Sequence, residues 1–464
     1  ITVHNNHLAE IRRTLELAAP VMIGLVASFG MNFVDTVMAG RLADKDVALA
    51  ALATGGAVWS ACLMFTIGTL MAVQPIVAQH DGAGQRLAAG AAARQAFWLA
   101  LVLALPFTLI MGQGGEVLRL LDVEASIIPV ADGYMDALAW GAPGMTLVFL
   151  LRFFSEGTGH TKPTMYIGLF GVLLNVPLNW ILMFGKFGMP ALGAEGCGYA
   201  TSIVIWMQAA LLLVYIRFHH HFRDYQPFAG LQRPDMARLV ELLRIGLPIA
   251  VTIFVEGSLF VGAAILIGRL GPLPTAGHLV AINFSALVFM IPLGLASAVT
   301  TRVGNAIGRG EPRAARYAGL IGLLIVLCSQ SISAFIMIFF PEWVVGIYTS
   351  DPAIASVAVT LLFFAAIFQF PDGIQICSAG ALRGLKDTLW PMVYNIISYW
   401  LIGMALGYYL TFNEGLGPSG MWMGMIAGLT AGAILMASRF WRESNSRIRR
   451  FEEVAAGPGA AGSE

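Results

Sequence analysis

The length of its apolar runs constrains this chain more than any other feature. Twelve segments read as helices long enough to cross a bilayer core of about 30 Å, which takes roughly 20 apolar residues each. They lie near 15-38, 48-78, 91-112, 127-150, 164-185, 196-216, 243-269, 275-300, 315-340, 353-382, 390-412 and 418-440. Most are too continuous to be the one-sided helices of a soluble bundle. Only 12% of the 464 residues are charged, about half the usual share in a soluble domain, near 25%. A surface that poor in charge excludes a soluble enzyme, a disordered chain and a basic nucleic-acid binder. The expected fold class is therefore an all-α polytopic membrane protein with 12 transmembrane helices.

The first span is longer than a signal-peptide core and carries Asp35, so it is expected to be retained. The missing initiator Met leads us to expect a processed or trimmed start. The four cysteines (Cys62, Cys197, Cys328, Cys377) show no paired spacing and read as free buried thiols.

Formal charge sums to zero, with 27 Lys and Arg against 27 Asp and Glu. The basic residues are nevertheless segregated. Of the 27, 22 fall on the side holding both termini, and 5 (Arg41, Lys45, Arg119, Lys186, Arg269) fall opposite. The positive-inside rule then places both termini in the cytoplasm.

The chain also repeats itself at an offset near 228. Pro20, Pro143 and Pro163 match Pro248, Pro371 and Pro391, and Pro190 matches Pro418. Gly40-Arg41-Leu42 matches Gly268-Arg269-Leu270, and at offset 226 Gly82 and Gly84 match Gly308 and Gly310. Six helices per half return the chain to its starting side, so the halves are parallel repeats. This is one architecture of secondary transporters, whose substrate sites lie at the repeat interface. The expected organisation is an N-lobe over 1-216, a cytoplasmic linker over 217-242, a C-lobe over 243-440 and a cytoplasmic tail over 441-464.

Three acids lie inside spans: Asp35, Glu256 and Asp372. Each costs about 2.5–3.5 kcal/mol on insertion scales, and no Lys or Arg is expected at comparable depth. Their repeat equivalents are Ala263, Ser28 and Gly144, so the acids are additions to a duplicated frame. A carboxylate without a counter-ion binds a proton or small cation, or attracts a cationic ligand; a structural hydrogen bond to a backbone carbonyl is the alternative. Pro371 removes the helical bond to the Ile367 carbonyl, and Pro177 does the same for Leu173. Asn175 and Asn179 are four apart and share one helix face. With Asp35 and the Thr201 hydroxyl they would suit a hard cation or a proton relay; plain interhelical bonding remains open.

Weaker signals take their ordinary readings. The His219-His220-His221 run is expected to be solvated loop rather than a metal site. His278 is expected to cap or pack rather than to relay protons. The absence of HExxH, a Walker loop and a nucleophile elbow speaks against catalysis and against ATP hydrolysis.

Three stretches carry a family resemblance. They are Met31-Asn32-Phe33-Val34-Asp35-Thr36-Val37-Met38-Ala39-Gly40, the run Leu173-Leu174-Asn175-Val176-Pro177-Leu178-Asn179-Trp180, and Ala381-Leu382-Arg383-Gly384-Leu385-Lys386-Asp387. Together they resemble the NorM-type branch of the multidrug and toxic compound extrusion (MATE) transporters, over about Glu16 to Arg439. The resemblance implies two six-helix lobes in a V, in a bacterial inner membrane among lipids, as a monomer and without a nucleic-acid partner. It implies export of cationic, often aromatic drugs and dyes in exchange for H⁺ or Na⁺, with no cofactor besides the coupling ion. Residue by residue, Asp35, Asn175, Asn179 and more loosely Thr201 resemble an N-lobe cation or proton site. Glu256 and Asp372 resemble the C-lobe site, and Asp351 resembles an acid implicated in drug contact. Two positions depart from relatives. Phe368 stands where some carry Tyr, which removes a hydroxyl that Na⁺ would use. His278-Leu279 stands where relatives often read His-Gln or Gln-Gln, which removes a polar contact from the substrate cavity. Na⁺ and H⁺ both remain open.

The rival readings are a lipid-linked oligosaccharide or lipid flippase of the same superfamily fold, an integral membrane enzyme and a passive channel. A flippase for anionic headgroups calls for basic residues at depth, an enzyme for a nucleophile–base pair or metal triad, and a channel for a ring of acids.

Overall fold

A computed structural model describes residues 7–230 and 232–456. Among them the regular structure is helical throughout. Ten of the expected spans, with the one near 127-150 set aside, match long helices in chain order, each lying inside its helix or overrunning it by one residue. These are α1 (His7–Ala39), α2 (Lys45–Gly82), α3 (Arg86–Met111), α5 (Lys162–Phe184), α6 (Gly193–Phe218), α7 (Met236–Gly268), α8 (Pro272–Gly308), α9 (Pro312–Phe339), α10 (Pro352–Gly384) and α11 (Leu389–Asn413). The last span lies in α12, Pro418–Ala456. The fourth, α4, is a pair, Ile128–Ala139 and Ala142–Gly157, bent by 46°. Pro143 sits in the first turn after that bend, where its missing N–H breaks no helical bond.

Local chemistry explains the main boundaries. Gly185 closes α5 in the left-handed region at φ +66°, a conformation in which a Cβ is costly. Asp351 opens α10 by accepting from the Ala353 N–H at 2.8 Å. The stretch Ile396–Met404 of α11 is wound as a π-helix. A helix of 39 residues spans about 58 Å at 1.5 Å per residue, so α12 runs well past a bilayer. Residues 441–456, expected as tail, belong to that helix.

The contacts divide the chain into two compact units. One comprises Pro20–Val77 and Gln85–Ala250; the other comprises 7–19, Ala78–Gly84 and 251–456. The divisions in α1 and α7 fall at Pro20 and two residues after Pro248, positions that are equivalent in the repeat. In the second unit the close approaches depend on glycine. A Cβ on Gly308 would stand 2.0 Å from the Gln79 carbonyl oxygen, and one on Gly82 would stand 2.1 Å from that of Asn305.

Candidate functional site

In the first unit, three helices bring the expected residues together. Asp35 (α1) is 7% exposed, and Asn175 and Asn179 (α5) are fully buried. Asn179 donates its side-chain amide to Asp35 Oδ1 at 2.6 Å and to Asn175 Oδ1 at 3.1 Å. The Pro177 break lies between the two asparagines. Thr201 (α6) is beside the same carboxyl, but its Oγ1 meets no hydrogen-bond geometry with it. Cys197, one turn earlier on α6, also approaches Asp35 and was not singled out in the sequence. Asn179 Oδ1 and Thr201 Oγ1 have no hydrogen-bond partner among the described residues. Unpaired buried oxygens beside a carboxyl fit a hard cation or an exchangeable proton.

The second unit holds the other acids. Asp372 (α10) is 2% exposed, and its Oδ1 has no hydrogen-bond partner among the described residues. Glu256 (α7) is half-buried and within electrostatic reach of Asp372. No Lys or Arg is expected at comparable depth, but one basic side chain reaches this site electrostatically from a helix end. Arg383, in the last turn of α10, is 8% exposed and acts electrostatically on Glu256. A helix end reads in sequence as loop, and the packing that buries this guanidinium comes from other helices.

Phe368 lies one turn before Asp372 and packs edge-on to Trp422 at 5.6 Å and to Phe260 at 6.0 Å between ring centres. Trp422 Nε1 donates to His278 Nδ1 at 3.2 Å. His278 is 2% exposed, with Nε2 unpartnered among the described residues. Phe368 and His278, the two positions noted as departing from relatives, thus meet through Trp422, which the sequence reading missed. Asp351 is not part of this group. It is exposed at the helix start, 21 residues before Asp372 and so about 31 Å away along α10.

The histidine run corrects another expectation. His219 and His221 are half-buried against His160, with ring centres at 4.8 Å and 4.7 Å. His160 Nε2 and the Tyr215 hydroxyl are 2.8 Å apart. Burial, then the neighbouring His221, His219, Lys162 and His220, push the His160 imidazole down to about 4. The cluster is packed aromatic structure. Among the described residues no group of three His, Cys, Asp or Glu is placed to hold a metal.

Comparison with known proteins adds the lineage. The family model MatE matches twice, over residues 20–181 and 248–409, and the two matches start 228 residues apart, the offset read from the prolines. The chain belongs to the MatE family. It is 41% identical to the multidrug resistance protein PmpM of Pseudomonas aeruginosa, over 96% of this chain and 94% of that one. It is 44% identical to a probable multidrug resistance protein NorM of Xanthomonas campestris, over 95% of each chain. Among solved structures, the eukaryotic MATE transporter AtDTX14 has a TM-score of 0.84 at 20% identity, covering 96% of this chain and 100% of that one. A MATE protein in its straight conformation has a TM-score of 0.87 at 19% identity, covering 95% and 97%. These likenesses establish the MATE fold for a polytopic membrane protein.

Proposed function

We propose that the protein is a multidrug exporter that exchanges cationic, aromatic drugs and dyes for H⁺ or Na⁺ by alternating access between its two lobes. It works in a bacterial inner membrane with both termini in the cytoplasm, as a monomer among lipids, and is not an enzyme. The observation that carries this reading is the pair of buried carboxyl sites, Asp35 with Asn179 in one unit and Asp372 with Glu256 in the other. Relatives at 41% and 44% identity that bear multidrug resistance names support the substrate class.

An amphipathic cation is drawn toward Asp372 and the Phe368–Trp422–His278 aromatic group, where ring faces and carboxyl both favour positive charge. H⁺ or Na⁺ arriving from outside competes for the carboxyls and displaces the drug. Asp351, at the outer start of α10, meets the cation at the exit. The membrane potential supplies about 2.3 kcal/mol per charge per 100 mV, so stoichiometry sets how much of it drives export. The test is ethidium export from proteoliposomes with Na⁺ and pH gradients imposed separately. Wild type should move dye uphill on at least one gradient, and Asp35→Asn and Asp372→Asn should not. Uphill export by both variants at normal protein level would sink the scheme.

A further inference from the structure

The bend of α4 opens a groove in the first unit, on the side of α6 turned away from Asp35. Cys197 and Thr201 approach that carboxyl. Glu195, Tyr199, Ile203, Trp206 and Ala210 recur every three or four residues on the opposite face of α6. On α4, Asp132, Asp136 and Trp140 stand four apart and form a neighbouring stripe. Where the stripes meet, Trp140, Tyr199, Ile203, Trp206, Met207 and Ala210 wall an open groove of about 430 Å³.

The polar atoms of this groove are already committed. Trp206 Nε1 donates to the Trp140 carbonyl at 2.7 Å, at the break of α4. Ser202 Oγ donates to the Ala137 carbonyl at 2.6 Å. A Cβ on Gly141 would stand 2.8 Å from that Oγ, so glycine lets the two helices close beneath the groove. The Tyr199 hydroxyl approaches Glu195. A pocket for a drug-sized molecule orients it with a few placed polar groups. Here the walls offer ring faces and hydrocarbon, the surface on which an acyl chain packs.

The end toward the helix starts is acidic. Glu195 lies in the first turn of α6. Asp136 is exposed and within electrostatic reach of Asp132 and Glu195. Asp132 accepts from the Gly115 N–H. None of the three forms an ion pair among the described residues. From Glu195 to Trp206 the helix rises about 16 Å, half of a bilayer core of about 30 Å. The carboxylates therefore stand at headgroup level, and the groove runs down one leaflet. Carboxylates without counter-ions repel an anionic headgroup and accept charge-assisted hydrogen bonds from an ammonium.

We propose that this groove binds one phospholipid whose headgroup ends in a primary ammonium, of the ethanolamine type. An acyl chain lies along Tyr199, Ile203, Trp206 and Ala210, and the ammonium sits between Asp136 and Glu195. The body of α6 separates this site from Asp35, and lipid binding here does not depend on drug exchange. A choline headgroup carries the same charge but has no N–H to donate. A glycerol headgroup leaves its phosphate uncompensated and is repelled.

The test titrates the full chain in detergent with ethanolamine, choline and glycerol phospholipids of one chain composition, counting bound lipid by native mass spectrometry. The ethanolamine lipid should half-saturate one site at about a tenth of the choline lipid's concentration, the worth of charge-assisted hydrogen bonds. The glycerol lipid should bind more weakly still. Asp136→Asn combined with Glu195→Gln should remove this preference, and Asp136→Lys should turn it toward the glycerol lipid. Ala210→Phe occupies the apolar end and should weaken all three lipids together. Asp136 is exposed, so Asp136→Lys decides the matter if the other variants do not fold. Equal half-saturation of the three lipids in wild type overturns the site, as does an unchanged preference in Asp136→Lys. Saturating ethidium should leave the lipid count unchanged. Displacement of the lipid by the dye would make the groove an organic-cation site and overturn the assignment.

Discussion

Asn179 gives both of its described hydrogen bonds from one nitrogen, to Asp35 at 2.6 Å and to Asn175 at 3.1 Å. The amide therefore ties α1 to α5 through a carboxyl that has no basic partner in its hydrogen bonds. Asn179→Ala should leave Asp35 buried without this donor, a loss of about 1–3 kcal/mol. Melting of the purified protein should fall accordingly, and the cation dependence of export should shift. An unchanged melting temperature with unchanged cation dependence would mean that the bond is incidental.

The repeat makes a prediction about packing. Gly82 and Gly308 were matched in sequence at offset 226, and each lies against the other's helix. Their virtual Cβ atoms fall 2.1 Å and 2.0 Å from the carbonyl oxygens of Asn305 and Gln79. Backbone cannot retreat as a side-chain tip can, so either alanine should force the helices apart. Gly308→Ala and Gly82→Ala should each cost about 2 kcal/mol or more, as overpacking does, measured by thermal melting in detergent. Gly84→Ala tests something different: a Cβ there meets nothing within 4 Å, but its φ is +74°. Its cost should be the smaller left-handed penalty, near 1 kcal/mol.

What could be read in the sequence follows from how local each signal is. Apolar run-length and unpaired charge are local, so the twelve spans and the three acids could be found without a structure. The Asn175–Asn179 pair was visible because four residues make one helical turn. Convergence across helices was not. Nothing in the sequence links His278 to Trp422, 144 residues on, or Gln375 to Asn395 on the next helix. A glutamine or tyrosine in an apolar run looks the same whether it packs or coordinates. Arg383 stands at a helix end, where sequence implies solvent and tertiary packing supplies burial. The glycine pair was visible as a match, but its reason, close backbone contact, was not.

The histidine cluster predicts a pH response in the segment between α6 and α7. Docked, the His160 ring takes a proton only near pH 4; undocked, it takes one near its ordinary value of about 6.5. The undocked state therefore binds more protons between those values, and docking weakens as pH falls through that window. From about pH 7.5 upward, a unit above the undocked value, both states are essentially neutral, and docking should not vary with pH on this account. Hydrogen exchange over 219–226, corrected for its intrinsic pH dependence, should show faster opening at pH 5 than at pH 7.5. His160→Phe keeps a ring against His219 and His221 and removes the main titrating group, so it should flatten most of the response. The residual slope belongs to His219, also held low by burial and by His220.

Asp351 offers two roles that one pair of variants can separate. Its side chain accepts from the Ala353 N–H at 2.8 Å and so caps α10. Its charge, exposed at the start of α10, is on the proposed export scheme the group that meets a departing cation. Loss of a cap costs about 1 kcal/mol, and serine replaces an aspartate cap well. Asp351→Ala should therefore lower the melting temperature, and Asp351→Ser should restore it. Neither carries the negative charge, so both should weaken export of a doubly cationic dye more than that of a singly charged one, because attraction scales with the product of the charges. If Asp351→Ser recovers stability and also exports both dyes at the wild-type rate, the residue is a cap alone, and the proposed exit contact is overturned at this position.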